Sequence, residues 1–165
     1  MTQPVRIAFI GNSLPRHCGI ATFTTDLQQA VSTLGTDIET CIVAMTDNSN
    51  TYNYPSAVRL QVNDERIEDY VRAADYLNAG RFNVVSLQHE FGIFGGEWGD
   101  HIMALLSRLT MPVVTTLHTV LAEPTPVQRN LLIRITDASA KVIVMAEKAR
   151  ELLLSVYNIA PEKIE

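Results

Sequence analysis

Five short apolar runs, at residues 5–10, 41–44, 82–87, 113–117 and 142–145, recur along the chain, with helix-spaced stretches between most of them. The runs are almost continuously apolar rather than alternating, which is the pattern of strands buried on both faces. The helical stretches repeat their apolar residues every three or four positions. Ile20, Phe23, Leu27, Val31 and Leu34 form the first stripe, and Ile67, Tyr70, Val71, Ala74 and Leu77 the second. Trp98, Ile102, Leu105, Leu106 and Leu109 form a third from Glu97 onward, Val127, Leu131, Leu132 and Ile135 a fourth, and 146–156 is a last helix. Gly35 and Gly80 are placed to end the first two helices, and Asn63 to cap the second. A weak edge strand is expected at 58–60, and 46–55, with Asn48, Asn50 and Asn53, reads as exposed loop. This alternation predicts an α/β fold, a doubly wound, Rossmann-like parallel sheet with helices on both faces.

At 165 residues the chain makes one domain. Thirteen basic against eighteen acidic residues, a net charge of −5 and no Lys/Arg block argue against nucleic acid as a partner. Peripheral membrane contact is not indicated either. Cys18 and Cys41 have no metal or redox spacing and read as free thiols in a reducing compartment. The first residues lack a charged segment followed by an apolar one, so cytoplasm is the default location. Lys163-Ile164-Glu165 looks like the start of a further strand, as if the chain were cut from something longer.

In an open α/β sheet, ligands bind beyond the carboxyl ends of the strands. Three turns there carry chemistry. The first, 11–19, is neither GxGxxG nor a Gly-Lys-Ser/Thr loop, which disfavours ordinary dinucleotide binding. Gly19 could still offer helix N–H groups to an anion, with Arg16 as the nearest cation, or the turn could hold no ligand. The second, Gln88-His89-Glu90-Phe91-Gly92-Ile93-Phe94-Gly95-Gly96, gathers an imidazole, a carboxylate and glycines where a strand should hand over to a helix. Gly95-Gly96 is the better anion or hydroxyl cradle, and His89 beside Glu90 could be an oriented donor or base. Trp98 could stack on a sugar, but a place in the core is the favoured reading. The third is Thr115-Thr116-Leu117-His118-Thr119, whose His118 follows its strand directly. Two histidines on neighbouring strand ends favour function over a structural role. A metal site from His89, Glu90 and His118 lacks HExxH or any close His/Cys spacing, and no nucleophile motif surrounds Ser13, Ser86 or Cys18.

Taken together, Pro15-Arg16-His17-Cys18-Gly19-Ile20-Ala21-Thr22-Phe23, the 87–96 stretch and Thr116-Leu117-His118-Thr119 resemble the N-terminal half of family 4 (group 1) glycosyltransferases. The resemblance covers essentially the whole chain. It implies one half of a GT-B fold, with a retaining active site in the cleft between this acceptor-side domain and a C-terminal donor-binding domain absent here. It maps the donor diphosphate onto Gly19 and Arg16, the transferred sugar onto His118 as catalytic residue, and the acceptor onto His89, Glu90, Gly95 and Gly96. It implies a nucleotide-sugar co-substrate, a hydroxyl acceptor, no metal and no other cofactor, and little activity for this domain alone. Many relatives carry a second glycine where this chain has Cys18. The alternative is a non-enzymatic Rossmann-like domain that binds a ligand or partner; a hydrolase using His89 and Glu90 ranks last.

Overall fold

The computed structural model describes residues 3–47 and 51–165, so Asn48 and Asn50 of the expected loop lie outside the described residues. Six parallel strands stand in the order β3-β2-β1-β4-β5-β6: β1 Val5–Gly11, β2 Ile38–Thr46, β3 Val58–Asn63, β4 Val84–His89, β5 Val113–Leu117 and β6 Lys141–Val144. The order reverses between β1 and β4, which makes their carboxyl ends the crevice of a doubly wound sheet. The fold is α/β and Rossmann-like.

Helices cover both faces. On one, α1 (Gly19–Ser32) lays Leu27 and Val31 on Phe9, Ile42 and Ala44. On the other, α2 (Ile67–Ala79), α3 (Ile102–Leu106), α4 (Pro126–Ala138) and α5 (Glu147–Ser155) share a larger core. That core runs from Tyr70 and Leu77 through Leu105 and Leu132 to Leu153. The alternation of strand side chains sends Phe9 to the α1 face, and Ala8 and Ile10 to the other. No helix among the described residues is long and apolar enough to cross a membrane.

Local chemistry explains the ends. Cys18 caps α1, its Sγ accepting from the Ala21 N–H at 3.3 Å. The hydroxyls of Ser32 and Thr33 take the Gln29 and Ala30 carbonyls, so α1 stops before Leu34, which is 75% exposed rather than part of the buried stripe. Asn63 caps a turn instead of the helix: its Oδ1 accepts from Glu65 N, and α2 begins only at Ile67, itself exposed. A Thr125–Gln128 capping box and Pro126 start α4, with Val127 left exposed.

The helix expected from Glu97 is replaced by a 3-10 turn, Glu97–Gly99, and the five-residue α3, with a further 3-10 turn, Phe91–Ile93, before it. Gly96, Trp98 and Gly99 all have positive φ, which an α-helix does not tolerate, and Trp98 is 47% exposed instead of buried. The expected strand at the end of the chain is present in outline, with Ile164 bridging Val142 in parallel beyond β6.

Candidate functional site

The first turn is stitched together. Asn12, buried at the end of β1, donates from Nδ2 to Cys18 Sγ (3.3 Å) and accepts from Arg16 Nη1 (3.3 Å). Arg16 also faces the Asp47 carboxylate at 3.5 Å, so it is a bound cation and not a free one. Ser13 Oγ meets Thr25 Oγ1 at 3.4 Å, which fastens the turn to α1. Gly19, the first residue of α1, is exposed, and a Cβ built on it would find nothing within 4 Å. Cys18 Sγ already takes one of the N–H groups at this helix start, which leaves fewer for an anion than a glycine there would.

His118 lies beside that helix start. Its ring meets the edge of Phe23, one turn into α1, with centroids 4.8 Å apart and planes at 87°. Its Nε2 is 3.0 Å from Gln88 Oε1, and Gln88 Nε2 donates to Ser86 Oγ at 3.1 Å. Ser86, Gln88 and His118 share the α1 face, because Gln88 pairs with Thr116 and His118 follows two residues on. Glu90 and Thr119 close the rim: Thr119 Oγ1 donates to Glu90 Oε2 at 2.5 Å, and Glu90 Oε1 accepts from Phe91 N at 3.0 Å. Burial pushes the His118 pKa down, and the neighbouring Glu90 carboxylate opposes that push.

His89 is not part of this rim. As the residue after Gln88 it points to the opposite face, where its wholly buried ring lies between Phe91 (5.1 Å) and Phe94 (5.9 Å, nearly parallel). Neither ring nitrogen has a hydrogen-bond partner among the described residues. Burial, with a smaller contribution from His118, pushes its pKa down to about 3. The expectation that His89 binds an acceptor is corrected by strand alternation alone.

Gly95 and Gly96 form no cradle either. Gly95 is buried, and a Cβ there would overlap the Asp64 carbonyl oxygen, with His101 Nδ1 2.8 Å away. Its N–H donates to the Tyr70 hydroxyl (3.1 Å), which itself donates to the Asp64 carbonyl (2.9 Å). Gly96 is exposed, but the side on which a Cβ would sit is filled by Asp100 and His101. Gly95 serves close packing of this segment against the turn before α2, and Gly96 the fold of the segment back on its own Asp100 and His101.

The structure therefore unites Gly19, Arg16 (through Asn12 and Cys18), His118 and Glu90 at the carboxyl ends of β1, β4 and β5, and sets His89 and Gly95 apart. Phe23 and Gln88 complete the site, and sequence reasoning gave neither a role there. A polar residue ending an otherwise apolar run, two positions after Ser86, was the available signal for Gln88. Among the described residues no three His, Cys, Asp or Glu side chains group so as to hold a metal ion.

A cavity of about 430 Å³ lies elsewhere, at the amino ends of β1 to β3 among Arg6, Glu39, Cys41, Arg59, Tyr76 and Phe82. Arg6 is consumed there by structure: it pairs with Glu39 at 3.1 Å, stacks on Phe82 at 4.7 Å and donates to the Gly80 carbonyl. Burial raises the Cys41 thiol to about 11, which leaves it unreactive.

No model of a known protein family and no curated protein matches the chain. Among solved structures it is similar to a short chain dehydrogenase family protein from Francisella tularensis subsp. tularensis SCHU S4. The two share 10% sequence identity at a TM-score of 0.48, over 96% of this chain and 79% of that one. A likeness of that degree carries no argument about activity.

Proposed function

We propose that this chain is the acceptor-side domain of a retaining GT-B glycosyltransferase, which moves a sugar from a nucleotide-sugar donor to an acceptor hydroxyl. The observation that carries the reading is the Phe23–His118 contact, 4.8 Å between ring centroids. It brings an open helix start and a half-buried imidazole to one mouth at the point where the strand order reverses, and the motif resemblance assigns those two features to diphosphate and sugar.

In this reading the first turn of α1, with Gly19 leading, faces the leaving diphosphate, and the helix dipole favours the negative charge that develops there. His118 meets the transferred sugar. Arg16 borders the diphosphate side and Glu90 the acceptor side, each held by its protein partners. The bond from sugar C1 to the diphosphate breaks, a bond from C1 to the acceptor oxygen forms, and the acceptor proton leaves with the diphosphate. The protein contributes positioning and charge stabilisation, which suits a site with no nucleophile motif.

The test is turnover of the intact gene product against a panel of nucleotide sugars, with His118→Ala beside wild type. Transfer by the wild type and its collapse in a folded His118→Ala are expected. No transfer from any donor, or wild-type rates in the variant, would remove the assignment.

A further inference from the structure

We propose that Gln88 is the positioning residue for His118: its carboxamide oxygen holds the imidazole as the Nε2–H tautomer, so that Nδ1 offers its lone pair to a hydroxyl of the ligand. The naming of that ligand as a sugar rests on the glycosyltransferase reading; the tautomer does not.

Gln88 is wholly buried, and the nitrogen end of its amide is taken by Ser86, to whose Oγ Nε2 donates at 3.1 Å. The other end, Oε1, then faces His118 Nε2 at 3.0 Å. A carboxamide oxygen can only accept, so this ring nitrogen must carry the hydrogen. A neutral imidazole has one N–H, which leaves Nδ1 with a lone pair. Nδ1 has no protein partner among the described residues, and the buried ring nitrogens left without one belong to His89, not His118. Nδ1 is thus in reach of solvent, at the mouth of the site. A ligand group that satisfies it must donate, as a sugar hydroxyl does.

Two neighbours make the arrangement rigid. Phe23 packs against the ring in a T-shaped contact. Gly11 makes room for Gln88: a Cβ at Gly11 would lie 3.0 Å from both Gln88 Cβ and Thr24 Oγ1, tighter than side chains normally pack. The geometry also tolerates a proton. Were Nδ1 to take one, Nε2–H would still point at an oxygen, with the Glu90 carboxylate nearby to balance the charge, so the ring need not turn between its two states. The lowered pKa of His118 fits the neutral ring as the resting form.

The deciding measurement is nitrogen-15 NMR of the intact, histidine-labelled protein without ligand. For wild type we expect a slowly exchanging ring proton on His118 Nε2, with Nδ1 unprotonated. In Gln88→Leu that proton should be lost to exchange and the tautomers should mix. Gln88→Glu keeps an acceptor in place, so the Nε2 proton should persist and the His118 titration midpoint should rise. Ser86→Ala frees the amide to turn and should weaken the Nε2 signal even if Gln88→Leu does not fold. A wild-type proton on Nδ1, or an unchanged signal in folded Gln88→Leu, overturns the proposal. None of these signals needs a nucleotide sugar, so they hold or fail apart from the transferase reading. The ligand-facing atom is tested by turnover: His118→Asn, whose oxygen falls near the Nδ1 position, should retain more than His118→Gln, whose amide falls near Nε2. The reverse order would assign the ligand to the other nitrogen.

Discussion

The ends of β4 and β5 carry one histidine on each face of the sheet, and the two have little in common beyond their chemistry. His118, on the α1 face, is bonded through Nε2 to Gln88, edged by Phe23 and opposed by the Glu90 carboxylate. His89, on the other face, is sealed between two phenylalanines, and neither ring nitrogen has a partner among the described residues. A single step along a strand of period two separates Gln88, which serves the rim, from His89, which fills the core. Position in the pleat, and not residue type, decides which imidazole can meet a ligand. The sealed side also has a thermodynamic cost, because a buried polar group without a partner loses roughly 1–3 kcal/mol of stability.

The largest effect tests whether the sealed side is closed. Gly95 lies against the backbone of Asp64 on the segment that covers His89, and backbone cannot step aside as a flexible side chain would. Gly95→Ala should therefore cost about 3 kcal/mol in chemical denaturation, the upper part of the usual range for overpacking. A cost below about 0.5 kcal/mol, the scale of ordinary surface changes, would mean that the segment is loosely held and that His89 is less enclosed than described. Next in size is an activity contrast. In the intact gene product His118→Ala should lose on the order of 10²-fold in turnover, the lower range for a group acting directly at the reacting centre. His89→Phe should stay close to wild type. Equal losses in both variants would erase the distinction between the faces.

A pH titration of stability sharpens the same contrast. The ordinary histidine pKa is near 6.5, and burial brings His89 to about 3 in the folded chain. The unfolded chain therefore binds a proton between these values while the folded chain does not, so the stability present above about pH 6.5 is lost as pH falls toward 3. At about 1.4 kcal/mol per unit, the loss attributable to His89 between about pH 7.5 and about pH 5 is roughly 2 kcal/mol. His89→Phe, which keeps a ring between Phe91 and Phe94, should remove that part of the slope, and at neutral pH it should be neutral or stabilising. The difference between the wild-type and variant slopes isolates this group from the carboxylates and other histidines. Parallel slopes would show that His89 is protonated, or exposed, in the folded state.

The strands are legible because burial on both faces leaves a continuous apolar run: residues 113–117 read as a strand, and β5 spans Val113–Leu117. Ile164 was readable for the same reason, as an apolar residue after a proline turn. The stretch after β4 was not, because Ile102, Leu105 and Leu106 do form helical spacing while Gly96, Trp98 and Gly99 interrupt it with positive φ. Periodicity counts apolar residues and is blind to backbone sign, and nothing in a tryptophan announces a left-handed conformation. At the site, the strand period of two separates His89 from Gln88 once β4 is seen to run through His89. That Gln88 reaches His118 depends on β4 lying beside β5 in a register that pairs Gln88 with Thr116, and that is a tertiary fact. The network at 12–18 was hidden for a related reason, since Cys18 acts there as a helix cap, a role more common for Ser, Thr, Asp or Asn.

The smallest effects lie at the rim, where solvent softens every substitution. Thr119 Oγ1 donates to Glu90 Oε2 at 2.5 Å, but both residues are half-buried and water can replace the hydroxyl, so Thr119→Val should cost only about 1 kcal/mol. Glu90→Gln keeps the shape of the side chain and removes its charge. The Glu90 carboxylate raises the His118 pKa against the pull of burial, whereas the influences on His89 are burial and His118. Glu90→Gln should therefore lower the titration midpoint of His118 further and leave the acid slope assigned to His89 in place. Proton NMR of the imidazole signals across pH, together with denaturation at two pH values, reads both. If the His118 midpoint does not move, Glu90 is not the charge that faces it, and the rim loses its electrostatic link between β4 and β5. If the His89 slope changes as well, charge placed on the α1 face is felt through the sheet, and the two faces are less independent than their packing implies.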